Sequence, residues 1–331
     1  MRFSLYSEIQ YWNNKSYKQA YDEVLEQIVS GDRLGYDCYS IIEHFFFENF
    51  SISSNPFALF GAASGRTNNI NFRSMGHVMP YHNPVILASQ IAAADIIFGE
   101  RYEYMPIRGH AWMAWKAGID INDTRPLYEE ALDILAKAFN DVDFSHSSAH
   151  YEIRDTHVVP RPQRKPRCVV GGTSDRTYEI AAEQGWAVAV PPLLPYPALK
   201  DQLDFYRAKC AEHGNTPDII WIHACHLDQD RETALVEAEE SMLNFIKGNA
   251  SPEPELPPPD VLEEANYGFY AAGILGQMTQ IPYKQLVDDD YVWVGTPADI
   301  VERIKATQEI CEGITEFAIT VNAGGIDHWK S

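Results

Sequence analysis

Several residues in this chain are placed where they could do chemistry. His44 closes a β-branched and aromatic run, Cys38–Ile42, that reads as a strand. An imidazole there titrates near neutrality and could exchange protons with a bound molecule; the alternative is a structural histidine bonded to the backbone. Gly172-Thr173-Ser174 stands between a second such run, Cys168–Val170, and a helical pattern. Free backbone N–H groups and the positive end of a helix suit a phosphate, although a plain strand–helix turn capped by Ser174 would read the same way. Asp175 would repel an anion, so its side chain is expected to point outward as a first-turn acid.

Other candidates carry two readings. His82 precedes a helix start at Asn83-Pro84, and His110, Trp112 and Trp115 follow a strand at Tyr102–Met105; each could line a pocket or fill the core. His223-Ala224-Cys225-His226 has the look of a metal site, but alternate residues of a strand face opposite ways and the two histidines diverge. No metal site is expected. His146, His150 and His157 read as loop residues. The five cysteines, with no C-x-x-C, fit reduced structural thiols.

The elements that would position these residues alternate. Strands are expected at Phe3–Tyr6, Cys38–Ile42, Ile70–Met75, Tyr102–Met105, Cys168–Val170, Ala187–Val190, Ile219–Ala224 and Phe317–Val321, with helical segments between most of them. That order implies βαβ units, and eight strands suggest a closed (β/α)8 TIM barrel. Residues 1–331 are expected to form one such domain. Asn83-Pro84 and Thr296-Pro297-Ala298-Asp299 are helix starts, and Leu127–Phe139 carries an apolar stripe. Segment 248–292 breaks the alternation: it opens Pro/Glu-rich, then runs through aromatic residues and glycines at Tyr267–Gln277. A long insertion late in a barrel reads as an active-site lid or as a bland surface excursion. Pro84–Phe98 is apolar nearly all round, which asks for a cover on its outer side and points to a homodimer across this helix.

Bulk properties narrow the function. The formal net charge of −21 disfavours nucleic acid and anionic membranes as partners. The N-terminus lacks a basic and long apolar leader, and no stretch is apolar enough for a membrane span, so a cytoplasmic location is expected. No G-x-G-x-x-G follows a strand, which argues against a dinucleotide-binding Rossmann domain.

A series of short motifs, in order, resembles the bacterial luciferase-like flavin monooxygenases: Leu34-Gly35-Tyr36-Asp37, Glu43-His44-Phe45, Asn55-Pro56-Phe57, Met79-Pro80-Tyr81-His82-Asn83-Pro84, Gly99-Glu100-Arg101-Tyr102, Val169 to Ser174, Ala181 to Gly185 and Val294-Gly295-Thr296-Pro297. The Pro80–Pro84 stretch looks most like the diketocamphane monooxygenase branch. The resemblance implies a usually dimeric TIM barrel that takes reduced FMN from a separate flavin reductase. With oxygen it would form a peroxyflavin and oxidise a small apolar aldehyde, ketone or aromatic. It implies His44 as the reactive histidine, and Arg108 with Gly172, Thr173, Ser174 and Thr177 at the FMN phosphate. Met75-Gly76 falls where the family often has a cis peptide beneath the flavin, with a small residue at 76 for close ring approach. Ile107 stands where luciferase has cysteine, which weakens any expectation of light emission. The alternatives are a deazaflavin-dependent hydride-transfer enzyme of the same superfold, a flavin-binding protein without turnover, and, for want of convergent ligands, more remotely a metal-dependent hydrolase.

Overall fold

Short runs rich in Val, Ile and aromatic residues can be buried on both faces only inside a parallel sheet covered by helices, and the chain folds accordingly. The computed structural model describes residues 1–12, 15–172 and 174–331. The strands are β1 (Arg2–Ser7), β2 (Cys38–Ile41), β3 (Asn71–Val78), β4 (Tyr102–Ile107), β5 (Phe144–Ser147), β6 (Glu152–Thr156), β7 (Arg167–Gly171), β8 (Ala187–Ala189), β9 (Ile219–Leu227), β10 (Trp293–Gly295) and β11 (Ile314–Thr320). Parallel pairing runs β1-β2-β3-β4-β7-β8-β9-β11 and closes from β11 onto β1. These are the eight strands expected from the sequence. β10 is an extra short strand on the end of β9, and β5 with β6 forms a separate antiparallel hairpin.

The barrel interior is filled at mid-height by Tyr6, Met75, Met105, Val169, Ala187, Ala189, Ile220, Ile222 and Ala318. At the N-terminal ends of the strands, charge replaces hydrocarbon. Arg73 is fully buried; its Nε donates to Glu103 Oε2 at 2.8 Å and its Nη1 to Glu316 Oε1 at 2.7 Å. Arg2 and Arg167 also pair with both glutamates. Buried charges persist only when paired this fully, and the plug leaves the opposite, C-terminal end of the barrel free for a site.

Helix starts follow their signals. Asn83 caps Pro84–Ile97, and Thr296 with Asp299 forms a reciprocal capping box before Pro297–Ile310. The insertion lies between β9 and β11. Its opening differs from expectation: Gly248 to Ala250 complete the long helix Arg231–Ala250, because the helix-breaking prolines begin only at Pro252. Short helices follow at Pro259–Glu264, Gly268–Ala271, Ile274–Met278 and Tyr283–Asp288. Among the described residues no helix is long and apolar enough to cross a membrane.

Candidate active site

A cavity of about 390 Å³ opens at the C-terminal end of the barrel. Its walls come from three sources: the strand ends, the turn after β7 and the insertion. Met75, Met105, Ile107, Ala189 and Ile222 supply an apolar floor, while Tyr267, Phe269, Tyr270, Leu275 and Met278 of the insertion form the roof.

Arg108, Arg125, Ser174 and Thr177 all line this cavity. Ser174 caps the helix Asp175–Gln184; its Oγ accepts from the Thr177 amide at 3.4 Å and lies 2.9 Å from the Thr177 hydroxyl. Gly172 takes φ 146°, which turns the chain into that helix. Asp175 is exposed and lines no part of the cavity. Thr173, expected at the same turn, lies outside the described residues. Arg108 reaches the cavity from β4. Its Nε donates to Thr124 Oγ1 at 2.9 Å, and its Nη1 and Nη2 donate to the carbonyls of Asn266 and Ala265 at 3.0 and 2.5 Å. The guanidinium also lies 3.5 Å from the centre of the Tyr267 ring. With carbonyls rather than a carboxylate around it, burial lowers its pKa to about 10.

Arg125, which sequence reasoning missed, lines the same cavity, and its buried Nε finds no partner among the described residues. Its only sequence signal is a basic residue in the first turn of the helix Thr124–Asn140, where the helix dipole disfavours one. Its Nη1 pairs with Glu129 at 3.5 Å and its Nη2 donates to the Asn266 carbonyl at 3.4 Å, so Nε alone is left without an acceptor among the described residues.

The cavity holds a second missed group. Glu8, the residue after β1, is 3% exposed and lines the cavity. Its Oε2 accepts from Gln10 Nε2 at 3.1 Å and Asn249 Nδ2 at 2.9 Å, and its Oε1 accepts from the Tyr6 hydroxyl at 3.2 Å. Burial outweighs these bonds and pushes its pKa up to about 8.

The expected histidines separate. His110 lines the cavity; its ring stacks on Trp112 with centres 4.5 Å apart, and Nδ1 lies 2.6 Å from the Tyr270 hydroxyl. Burial lowers its pKa to about 4. His44 does not reach the cavity wall. It is buried behind Phe50, whose ring stacks 4.1 Å away, and its Nε2 accepts from Trp112 Nε1 at 3.1 Å. The neutral ring therefore carries its proton on Nδ1. Burial, then the neighbouring His110, holds its pKa well below the usual range. Trp112 is likewise fully buried and supports His110 from behind.

His82 turns away to Glu43, with Nε2 3.1 Å from Oε2. Glu43 also accepts from the Val78 amide and faces His77 at 4.0 Å. These three side chains are close enough to suit a metal ion among the described residues, but they lie off the cavity. His223 and His226 do diverge: His223 packs on Trp293 and His226 faces Glu237.

Met75 lines the floor, and the Met75–Gly76 peptide is cis. Gly76 itself does not line the cavity. A Cβ there would lie 2.0 Å from the Met105 carbonyl oxygen, so the small residue admits β4 rather than a ligand ring.

The fold recurs in known proteins. Residues 1–311 match the family model described as luciferase-like monooxygenase. The chain belongs to that family. It is 25% identical to the oxygenase component of a flavin-dependent trigonelline monooxygenase from Acinetobacter baylyi, over 98% of this chain and 90% of that protein. Among solved structures, a monooxygenase from Streptomyces bottropensis superposes with TM-score 0.81 at 21% identity, covering 100% of this chain and 95% of that one. The oxygenating constituent of 3,6-diketocamphane monooxygenase from Pseudomonas putida, in complex with FMN, gives TM-score 0.76 at 21% identity, covering 96% and 91%.

Proposed function

We propose that this luciferase-like family member is the oxygenase of a two-component monooxygenase. It would take reduced FMN from a separate flavin reductase and use oxygen to oxidise a small, largely apolar molecule. The observation that carries the reading is that Arg108, Arg125, Ser174 and Thr177 together line a largely apolar cavity. In a chain of net charge −21, two guanidinium groups and two hydroxyls brought together suit one phosphate.

The donor set fits FMN. Two guanidinium groups, two hydroxyls and the first amides of a helix would hold the phosphate, and Met75 and Ile107 would pack on the ring. Bound reduced flavin supplies the two electrons that let one atom of O2 enter the substrate while the other leaves as water. The protein's own part is to orient the reactants and to limit water, with aromatic side chains of the insertion lining one side of the cavity. His110 is the histidine at the reaction chamber, its neutral ring oriented by the hydrogen bond between Nδ1 and the Tyr270 hydroxyl. His44 acts behind it, as a positioning residue that fixes Trp112 and through it His110. A cytoplasmic homodimer completes the proposal.

Anaerobic titration with photoreduced FMN tests it. Arg108→Ala and Arg125→Ala are each expected to weaken binding by about 1.5–3 kcal/mol, the worth of charge-assisted hydrogen bonds. Wild-type affinity in both variants would remove the phosphate from these residues. Running the same titration with reduced deazaflavin separates the hydride-transfer alternative, and oxygen uptake across a panel of aldehydes, ketones and aromatics separates turnover from mere binding.

A further inference from the structure

We propose that the carboxyl group of Glu8 is the substrate-anchoring site, donating a hydrogen bond to a neutral carbonyl group. The inference rests on the reading of this cavity as an oxidation site and adds the residue that would hold the substrate's carbonyl.

The position is built. β1 ends at Ser7, and the chain turns at once, with Ile9 held at φ 51°. A left-handed β-branched residue is unfavourable and persists only where its surroundings enforce it. The turn leaves Glu8 on the cavity wall.

The hydrogen bonds then decide which oxygen carries the proton. Gln10 Oε1 accepts from the Gly324 amide at 3.0 Å, so its Nε2 must be the atom 3.1 Å from Glu8 Oε2. The same Nε2 also donates to the Phe245 carbonyl. Asn249 Nδ2 is fixed in the same way, by the Phe245 carbonyl at 3.0 Å and Glu8 Oε2 at 2.9 Å. In the neutral acid that burial favours, Oε2 with its two N–H donors is the carbonyl oxygen. The proton sits on Oε1, whose partner among the described residues is the Tyr6 hydroxyl at a long 3.2 Å. With Tyr6 donating to Oε1, the Oε1 proton is free for a ligand in the cavity that Glu8 lines.

The groups facing Glu8 are Tyr6 and Gln10 from its own segment and Asn249 from the helix Arg231–Ala250. None carries charge at neutral pH. With no cation to hold the carboxylate, burial keeps the acid protonated up to about pH 8. One donor among Met75, Met105 and Ile222 selects a neutral acceptor. A carboxylic acid would bring a second acid beside the first, and a hydrocarbon would leave the donor unpaired. A hydrophobic ketone or aldehyde satisfies both the donor and the walls.

Equilibrium binding of 4-phenyl-2-butanone against n-butylbenzene, with two further ketone–hydrocarbon pairs of matched size, tests this on the flavin-free protein. At pH 6.5 the ketones are expected to bind roughly five- to tenfold more tightly, the range of one hydrogen bond. The preference should vanish by pH 9.5, when Glu8 is ionised. Glu8→Gln should keep it at both pH values, because an amide can accept both N–H groups and donate the third bond without titrating. Infrared spectra of the wild type should show a protonated carboxyl band that is lost with the same midpoint and absent in Glu8→Gln. The proposal is overturned if no ketone outbinds its hydrocarbon, failure of both to bind included. It is equally overturned if the preference survives pH 9.5 in the wild type, or if a matched amine binds best. Reduced FMN titrated on the same samples is a separate arm: its failure with the ketone preference intact would unseat the cofactor and leave Glu8 in place.

Discussion

His223 sits fully buried on β9, with its ring 4.2 Å from that of Trp293 and neither ring nitrogen bonded among the described residues. Burial lowers its pKa to about 3, and the same cause lowers those of His77 and His110 to about 4. Unfolded, each would titrate near 6.5. As pH falls below that value the unfolded chain takes up protons that the native chain refuses, so stability falls towards pH 4, by about 1.4 kcal/mol per pH unit for each such histidine. Urea unfolding at pH 7 and pH 5 should show this loss. His223→Leu should lose about 2 kcal/mol less than the wild type over that interval, and an equal loss in both would mean His223 is already hydrated or protonated. The histidines also show how far a sequence reaches at this scale. Position after a strand places His44, His82 and His110 at the correct end of the barrel. It does not say which side of the wall each faces, since that depends on Phe50, Trp112 and Glu43 packing around them. Glu8 was passed over because a lone acid after the first strand looks like surface; only the approach of Asn249, 241 positions away, buries it.

The elements were legible in proportion to their burial. All eight barrel strands carry apolar runs because both faces are covered. The β5–β6 hairpin is largely exposed and polar, and β10 is three residues long, so neither has a pattern to find. The insertion was visible as an irregularity, but its role depends on contacts. It is anchored at Ala265 and Asn266 by Arg108, and at Tyr270 by His110. The residue that would hold the phosphate thus also holds the roof. Ligand occupancy and roof order should therefore be coupled. In hydrogen exchange, residues 262–278 are expected to exchange faster than the barrel strands in the free protein and to slow with reduced FMN and substrate. Arg108→Ala should exchange faster still in this segment when free and show little slowing with FMN. Strong, equal protection of the segment in both states of the wild type would make it fixed scaffold instead of a lid.

The assembly is argued from what the whole surface must do. The helix Pro84–Ile97 uses Leu87, Ala88, Ile91, Ala92 and Ala94 on its own barrel, and Asp95 is buried too, accepting from the Tyr102 amide and pairing with Arg164. What remains outside is Ile86, Gln90, Ile96 and Ile97, with Ala93 half-buried; positions 86, 90, 93 and 97 share one helical face, where Ile86 is 61% and Ile97 72% exposed. The insertion does not cover this face, since its apolar side chains go to the cavity roof and to the helix Arg231–Ala250. A second copy across a two-fold axis would bury both isoleucines twice over. Ala92 is no test of that interface, because a charge there would break the monomer's own core. Ile97→Glu and Ala93→Glu are the tests: each should give a folded monomer in sedimentation at micromolar concentration where the wild type is a dimer. Salt sharpens the outcome. Two chains of net charge −21 repel at long range, while an apolar contact is indifferent to screening. Dimerisation through this face should therefore tighten between 20 mM and 500 mM salt (concentrations that span long and short screening lengths). A wild-type monomer across that range, or a dimer that dissociates as salt rises, would place the contact elsewhere on the molecule and give these isoleucines another purpose.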